Sequence, residues 1–489
     1  MSFLTRRPNL AALLLVMSAS LLYAQTPAEP AQPGTQNPGQ AEEPAQDAGQ
    51  VATAQTQEPT DAGAGQVKRA PVPLPLNLDA SSLQFTAEQA QVNYLNAGVN
   101  VGASYDDNLL NLAIPTGGFT FSVLPNIGID ISRRRLALKL DYAGGYTVNQ
   151  RYSAFNQSSH DGEIDLRYRL SPHVNLRVDN RVVYTNGFFN QLQAGAGGLG
   201  SGVIQQPNLG VITPLARHTD DLGSVDLTYQ YSATDMVGAS ATFHNSSFGA
   251  PPTGSASLVN TQSEQADAFY AHGFSPRNWS GVTYTFERIT FNPTVQQVDT
   301  HSFLLFHTIY LQPKMQLAFF AGPDYTQISG QVVSTTVTLP LVTVVSVPVS
   351  SDRWSVAGGI SFNWQGQHTS VRASGVHKVS DGGGLLTAVD LTTGNGAWRR
   401  QLTRNGTIEL GALYSDSRAL QSASTTYNAL KSASGSVLWE QHMGRSFMAT
   451  LGYARDYQLE KGLAIADLSV NHNRAWVTIG YHFSRPLGR

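Results

Sequence analysis

The chain contains no cysteine, which excludes disulfides, thiolate metal sites, a cysteine nucleophile and an N-terminal lipid-carrying cysteine. Apart from a borderline N-terminal segment, it has no apolar run of the roughly 18 residues that a membrane-spanning helix needs. The net charge is only -3, and residues 25–93 hold eight acids against two bases, so the remainder is nearly neutral. Nucleic acid is therefore not expected as a partner, because it would need a basic face.

The last stretch of the chain, residues 473–483, alternates between two kinds of side chain. The apolar or aromatic set consists of Val477, Ile479, Tyr481 and Phe483. The positions between them hold Trp476, Thr478, Gly480 and His482. A period of two residues is typical of a β-strand that has different surroundings on its two faces.

The same alternation recurs from about residue 95 to the end of the chain. In residues 163–170, an apolar set of Ile164, Leu166, Tyr168 and Leu170 alternates with a charged set of Glu163, Asp165, Arg167 and Arg169. An apolar face repeated this often needs an apolar environment of matching extent, which the bilayer supplies to a closed barrel. The sequence therefore predicts an all-β fold, a transmembrane antiparallel up-and-down β-barrel.

The connections between the predicted strands also alternate. Eight short ones separate nine longer ones rich in Gly, Ser and Asn, among them 187–216 and 330–350. This is the wiring of an outer-membrane barrel with short periplasmic turns and long outer loops. It predicts about 18 strands, and because that number is even, both ends of the barrel lie on the periplasmic side.

Three regions of the chain differ in composition. Residues 1–24 have Arg6 and Arg7 before an apolar core, as in a signal peptide, with an uncleaved membrane anchor as the alternative. Residues 25–93 are rich in Pro, Gln and Ala and predict a disordered periplasmic segment that serves as a tether or lies at the barrel mouth. Residues 94–489 form the predicted barrel.

The predicted inward face carries charges of both signs. Its lumen-lining residues are Lys139, Asp141, Glu163, Asp165, Arg167, Arg169, Arg177, Asp179, Arg181, Asp226, Glu287, Arg372, Lys378 and Glu409. Arg or Lys facing lipid at mid-depth would cost about 2–4 kcal/mol, so these side chains must face water or one another. They either set the selectivity of a pore or form cross-strand ion pairs, and the two roles are compatible. The absence of a dominant sign slightly favours neutral solutes such as sugars.

The segment Tyr105-Asp106-Asp107-Asn108 ends the first predicted strand. Its carboxylates could bind Ca²⁺ or sugar hydroxyls. The alternative is a strand-to-loop turn with solvated acids, and it is favoured because no further acids follow at the spacing of an EF-hand.

Other motifs point to no reaction. Residues 195–200 match G-x-G-x-x-G but lack the strand and helix of a dinucleotide site. His301 and His307 lie about 20 Å apart along one strand, too far for one metal. Asp220 and Asp221 cannot be placed across a cleft as a glycosidase pair, and no G-x-S-x-G occurs. We predict no enzyme activity, catalytic residue, cofactor or metal.

Aromatic residues fall mainly on the predicted outward face, where interface girdles account for them. These residues are Tyr142, Tyr168, Tyr229, Tyr284, Phe286, Trp354, Trp364, Tyr453 and Tyr481. A series of aromatics that guides a sugar through the lumen would need inward rings. Three tryptophans are candidates for that role: Trp279, Trp398 and Trp476.

The final segment resembles the C-terminal recognition strand of Gram-negative outer-membrane β-barrels, with Tyr481-His482-Phe483 as its aromatic-x-aromatic ending. It departs from that pattern in the six-residue tail after Phe483 and in the position of Gly480. The resemblance implies an outer-membrane location and the barrel-assembly machinery as a partner, with Val477, Ile479, Tyr481 and Phe483 as the assembly signal. The signal peptide, the Pro/Gln-rich leader and Tyr-Asp-Asp-Asn also resemble porin-like barrels associated with exopolysaccharide export, which implies a channel or accessory barrel for surface glycan.

We therefore expect a porin-like outer-membrane channel for polar solutes or exported polysaccharide, with passive transport through a mixed-charge lumen. The alternative is a structural or adhesive barrel that acts through its long outer loops. A folded plug domain, as an energy-coupled transporter needs, is not expected from a disordered leader. Outer-membrane lipid is the expected surrounding, and the oligomeric state stays open.

Overall fold

A computed structural model of the chain describes residues 93–109, 115–153, 156–185, 211–213, 216–249, 258–292, 296–338, 341–420, 427–462 and 467–487. The predicted signal peptide, all of the Pro/Gln/Ala-rich segment except Asn93, and the G-x-G-x-x-G motif lie outside these residues. No helix in the described ranges is long and apolar enough to cross a membrane.

The described residues form eighteen β-strands. Their bounds are β1 Asn93–Asp106, β2 Gly118–Ser132, β3 Leu136–Asn149, β4 Gln157–Arg169, β5 Val174–Thr185, β6 His218–Gln230, β7 Asp235–Phe248, β8 Asn260–Ser275, β9 Asn278–Asn292, β10 Gln296–Gln312, β11 Met315–Thr338, β12 Leu341–Gln365, β13 Thr369–Gly382, β14 Leu386–Thr403, β15 Gly406–Ala419, β16 Tyr427–Met443, β17 Phe447–Gly462 and β18 Leu468–Pro486. The predicted number of strands is confirmed.

The strands form one antiparallel sheet in which each strand pairs with the next along the chain. The first and last strands close it, in a register that runs from Tyr94 opposite Pro486 to Asp106 opposite Arg474. The fold is therefore a closed antiparallel barrel, as predicted.

The two ends of the barrel differ in their connections. At one end, here called the turn end, eight connections of two to four residues join β2 to β3, β4 to β5 and so on around the sheet. At the other, the loop end, lie most of the longer connections. Residues 330–350 were predicted as a long loop, and this was wrong, since β11 continues to Thr338 and β12 begins at Leu341. The many Val and Thr residues of this segment favour extended backbone.

Side-chain exposure alternates along the strands. On β18, Val477 and Ile479 are 46% and 53% exposed, and Tyr481 and Phe483 lie on the same outer face. Of the aromatics predicted to face outward, seven are exposed large side chains on that face: Tyr142, Tyr168, Tyr229, Tyr284, Trp354, Tyr453 and Tyr481. The outer surface of the barrel is thus an apolar and aromatic belt.

One tryptophan does not face the predicted way. Trp398 pairs directly with Leu410, which is exposed on the outer face, and directly paired residues share a face. The prediction that Trp398 points inward was wrong because the run Thr392–Gly396 offers no apolar side chain with which to fix the phase of the strand.

The pairing of neighbouring strands is incomplete between β12 and β13. Their ladder extends only from Gly358 opposite His377 to Gln365 opposite Ser370, at the turn end. Beyond it, residues 378–391, here called the inner hairpin, are almost entirely buried. Their tip reaches across the barrel to the start of β8, where the amide of Val259 donates a hydrogen bond to the carbonyl of Gly384 (2.8 Å).

The tip of the inner hairpin depends on glycine. Gly384 has a φ of +85°, a left-handed conformation that other residues rarely adopt. A Cβ there would also lie 2.7 Å from the ring of Phe248 at the end of β7. The sequence Gly382-Gly383-Gly384 therefore permits a tight tip that fits against the opposite wall.

At the loop end the sheet overlaps itself. Val379 and Ala388 of the inner hairpin pack in one cluster with side chains of β9, β10 and β11: Ile289, Phe291, Val298 and Ile328. Arg353 of β12 reaches Asp390 of β14, with 2.6 Å between the guanidinium Nη2 and the carboxylate Oδ2. The inner hairpin thus lies inside the wall formed by β9–β12.

Candidate functional site

The interior of the barrel is the candidate functional site, and β3, β4 and β5 supply a set of ion pairs to it. Three pairs join residues two apart on one strand, which share a face. The contacts are Lys139–Asp141 (2.7 Å), Arg167–Asp165 (2.8 Å) and Arg177–Asp179 (2.7 Å). Lys139–Glu163 (4.0 Å) and Arg177–Asp165 (3.8 Å) connect neighbouring strands. The wall therefore carries two neighbouring groups of paired charges, one around Lys139 and one around Asp165.

The other predicted lumen residues fall into smaller groups. Arg181 pairs with Asp161 (2.6 Å), Glu409 lies 3.9 Å from Arg399, and Glu287 accepts a hydrogen bond from Ser263. Asp226 is buried, Arg169 lies at the turn end, and Arg372 lies opposite Asn363. Lys378 belongs to the inner hairpin and is buried.

Sequence reasoning missed several members of these networks: Asp161, Arg399, Glu440, Asp456 and Arg474. Arg399 pairs with Glu440 (2.8 Å), and Arg474 pairs with Asp456 (2.7 Å). The signal was present, since Asp161 lies two residues before Glu163 and Arg474 two before Trp476, in the phase of the inward face.

Solvent access differs among the inward charges: Asp179, Asp226 and Glu409 are buried although they lie toward the turn end, whereas several charges on β3 and β4 are partly exposed. Lys139 and Asp141, near the turn end, have side chains 42% and 40% exposed although they point away from the outer belt. Asp106 and His472, at the loop end, are 5% and 3% exposed. The turn end therefore opens into a water-accessible region. We call this region the vestibule, and it is lined by Lys139, Asp141, Glu163 and Arg167.

This difference in exposure separates two kinds of substitution. Lys139→Gln should shift ion selectivity toward cations with a stability change below about 1 kcal/mol, as for an exposed pair. Arg177→Gln should cost about 3 kcal/mol, because it leaves the buried Asp179 without its partner. Reversal potentials in a salt gradient and urea unfolding measure the two effects. Equal destabilisation by both substitutions would contradict a wet vestibule.

Apolar side chains fill the interior beside β7–β13. Their cluster consists of Met236, Phe269, Ala271, Trp279, Leu304, Phe306, Tyr310, Phe320, Ala357 and Val376. Trp279, one of the predicted inward tryptophans, is 2% exposed within it and so packs as core. Trp476 also points inward, toward Gly452. The accessible part of the lumen is therefore narrower than the strand number alone suggests.

Two chain segments fill the loop end. Residues 211–213 are bound to β17, since Gln458 Nε2 donates to the carbonyl of Ile212 (2.9 Å) and the Ile212 amide donates to Gln458 Oε1 (2.6 Å). Val211 then packs with the inner hairpin in one cluster. That cluster comprises Val211, Ala216, Leu258, Leu385, Leu386, Val389, Leu391 and Leu430. In the described part of the chain, these two segments thus occupy part of the loop-end mouth.

A buried polar contact fixes the tip of the inner hairpin. Asp381 accepts a hydrogen bond from Thr261 (3.2 Å) and lies 3.7 Å from His244, whose other ring nitrogen is 2.9 Å from Asp220. Asp221 points to the other face of β6, where Asn180 donates to it. The two neighbouring aspartates therefore do not form an acid pair, because adjacent strand residues point to opposite faces.

Tyr-Asp-Asp-Asn closes the barrel between its first and last strands. Asp107 accepts hydrogen bonds from the backbone amide (2.8 Å) and side chain (2.6 Å) of Asn473. Asp106, nearly buried, lies 3.1 Å from the ring of His472, and Asn108 donates to the carbonyl of Asn471. We call these contacts the clasp. The expectation of solvated acids was wrong because β18 supplies donors, and the described residues contain no group of three or more potential ligands placed to hold a metal.

The class of this protein is thus an 18-stranded antiparallel barrel with an apolar outer belt, a charged vestibule and a filled loop end. No protein-family model matches the chain, and no curated protein matches it. Several solved structures are similar to the chain in fold. The ferric-catecholate import receptor Fiu from E. coli K12 has a TM-score of 0.40 and 9% identity, over 79% of this chain and 81% of the receptor.

Two further solved structures come from Pseudomonas aeruginosa: its outer membrane protein opdK, and its OccK2 (OpdF). For opdK the TM-score is 0.37 at 10% identity, over 80% of this chain and 99% of that one. For OccK2 (OpdF) in complex with glucuronate it is 0.38 at 9% identity, over 80% and 98%. None of these similarities assigns a role to a residue of this chain.

Proposed function

We propose that the chain is a Gram-negative outer-membrane channel for polar solutes and that the structure is its closed conformation. The observation that carries this proposal is the vestibule, where Lys139 and Asp141 are about 40% exposed on the inward face of a barrel whose outer face is apolar. A barrel whose outer face is apolar and whose inner face is charged and solvent-accessible has the arrangement of a water-filled membrane channel.

The orientation follows from the connections. Short turns face the periplasm in barrels of this kind, so the vestibule opens to the periplasm and the filled loop end faces the cell exterior. A vestibule that collects solutes from the periplasm and a closed outer mouth are suited to export. Val477, Ile479, Tyr481 and Phe483, exposed on the outer face of β18, are the proposed signal to the barrel-assembly machinery.

The proposed solute is neutral or weakly charged, with exported polysaccharide as the specific candidate. The vestibule pairs its charges, Lys139 with Asp141 and Arg167 with Asp165, so neither sign dominates the wall. Paired charges still present many hydrogen-bonding groups, which is what sugar hydroxyls require. Passage is passive in this proposal and involves no chemical reaction.

A second candidate is an adhesive barrel, and the β11–β12 pair favours it. These strands have 24 and 25 residues, more than any other strand. They continue well beyond Tyr325 and Trp354, whose rings are 4.9 Å apart on the outer face. If these aromatic rings mark the membrane interface, a hairpin of more than ten residues per strand projects outside.

The first test is single-channel conductance of the purified protein in planar bilayers, with residues 25–93 present and then deleted. We expect brief, voltage-induced openings in both forms, together with entry of neutral oligosaccharides into proteoliposomes. Steady openings only after deletion would assign the closure to the leader. Silence in both forms, from protein shown to be folded, would refute the channel and favour adhesion. Binding to cells or glycans by a variant trimmed in residues 330–350 would then be measured.

A further inference from the structure

Residues 353–357 of β12 have one edge without a neighbouring strand in the described part of the chain, here called the free edge. They pair with β11 on the other side, and the ladder to β13 begins only at Gly358. Trp354 and Val356 are 71% and 63% exposed, among the highest values for large apolar side chains of the outer belt. This exposure is expected where a strand lacks its neighbour on one side.

The free edge continues into the depth of the apolar belt. Ile360, on the same face as Val356, is an exposed belt residue, and Trp354 with Tyr325 forms the aromatic pair at the upper limit. Residues 353–357 therefore present an unpaired edge at membrane depth. Backbone polar groups cannot be left without partners in hydrocarbon, so a strand edge at this depth needs something to pair with it.

The chain itself supplies a matching strand. Continuing the register beyond Gly358–His377 would place Lys378 opposite Ala357, Val379 opposite Val356 and Ser380 opposite Ser355. In this register Val379 would join the lipid-facing row, and Lys378 and Ser380 would face the lumen. Lys378, Val379 and Ser380 would thus meet the surroundings that suit them, and Asp390, which pairs directly with Val379, would turn to the outer face beside Arg418.

We propose that the free edge of β12 is a docking site for residues 378–382 of β13, so that the inner hairpin has two positions. In the first, which the structure shows, it lies inside the wall, with Asp381 against Thr261 and His244 and with Asp390 against Arg353. In the second, it extends the ladder along β12 and completes the wall.

The two positions have opposite effects on the lumen. In the first, Leu385, Leu386 and Val389 fill the loop end together with Val211. In the second, these side chains leave the centre of the mouth, and β12 and β13 pair along the stretch where they are separated in the first position. The inference rests on the proposed channel function for its physiological meaning, since docking on β12 would then be the open state.

The absence of cysteine makes the positions separable by disulfide trapping. The double variant S355C/S380C tests the docked position, and V356C/V379C tests the neighbouring pair, because successive antiparallel pairs alternate between close and wide spacing. The double variant T261C/D381C tests the inner position. S361C/S374C is the matched control, since these serines face each other in the existing ladder on the same two strands.

We expect S361C/S374C and T261C/D381C to crosslink in the resting protein, and one of the two docked-position pairs to crosslink during voltage-induced opening. That disulfide should hold the channel open, and reduction should restore closure. The proposal is overturned if neither docked pair forms while both other pairs do, or if S355C links two chains instead. A docked disulfide that leaves conductance unchanged would support the docking and refute the channel.

Discussion

A variant in which Asn-Gly replaces residues 381–388 is expected to show steady openings in planar bilayers. The change joins Ser380 to Val389, the last regular pair of β13 and β14, by a two-residue turn suited to a hairpin. It removes the contacts to His244, Thr261 and Val259 that hold the tip against the opposite wall. Because an 18-stranded barrel is wide enough for an aqueous lumen, conductance should rise on the order of two- to five-fold.

Point variants separate closure from general damage. Leu386→Ser places a hydroxyl in the apolar cluster of the mouth and should raise the open probability, whereas Leu402→Ser changes an exposed leucine near the turn end and should not. Asp381→Ala, which removes the contact to Thr261, should act like Leu386→Ser. If the shortened hairpin folds but conducts no better than the natural chain, the inner hairpin is not what closes the lumen.

The sequence was sufficient to predict the number of strands and the facing of most side chains. Both follow from alternation and from the spacing of turns, which are local properties. Charges two residues apart, such as Lys139 and Asp141 or Asp165 and Arg167, indicated an inward row, and the structure pairs these residues. The assignment of alternate residues to opposite faces is reliable there because apolar residues on either side fix the phase of each strand.

The inner hairpin could not be predicted in the same way. Counting assumes that every strand stays in the wall, and residues 385–391 are apolar on both faces, with Leu385, Leu386, Ala388 and Val389 all buried. Such a run is typical of a strand covered on two sides. What covers it is β8–β11 together with Val211 and Ala216, which are distant in sequence, so no local pattern identifies the contact.

The first and last strands illustrate the same limit. Asp107 and Asn473 are separated by 366 positions along the chain, and the sequence offers no sign that they meet. Tyr-Asp-Asp-Asn therefore suggested either a binding cluster or a solvated turn. Ring closure brings β1 beside β18, and that topology converts the two acids into acceptors for the backbone and side chains of Asn473 and His472.

Removing the clasp should weaken the closure of the barrel. Asp107→Ala takes away both acceptors of Asn473 and leaves partly buried donors unpaired, which costs about 1–3 kcal/mol. Asp106→Ala removes one acceptor from the ring of His472 and one from the amide of Asn108. Because the two acids share one network, the double variant should lose less than the sum, about 2–5 kcal/mol in all. Urea unfolding and the fraction of heat-modifiable barrel on cold gels measure the loss.

The clasp closes the only junction that assembly must make between the two ends of the described barrel, from β1 to β18. Its loss should therefore slow the appearance of folded protein as well as lower its stability. Asp467→Ala is the matched control, since this aspartate is exposed immediately before β18. Added Ca²⁺ should not change the stability of the natural chain if the acids act as hydrogen-bond acceptors. Calcium-dependent stability in the natural chain, abolished by Asp107→Ala, would instead favour a binding cluster.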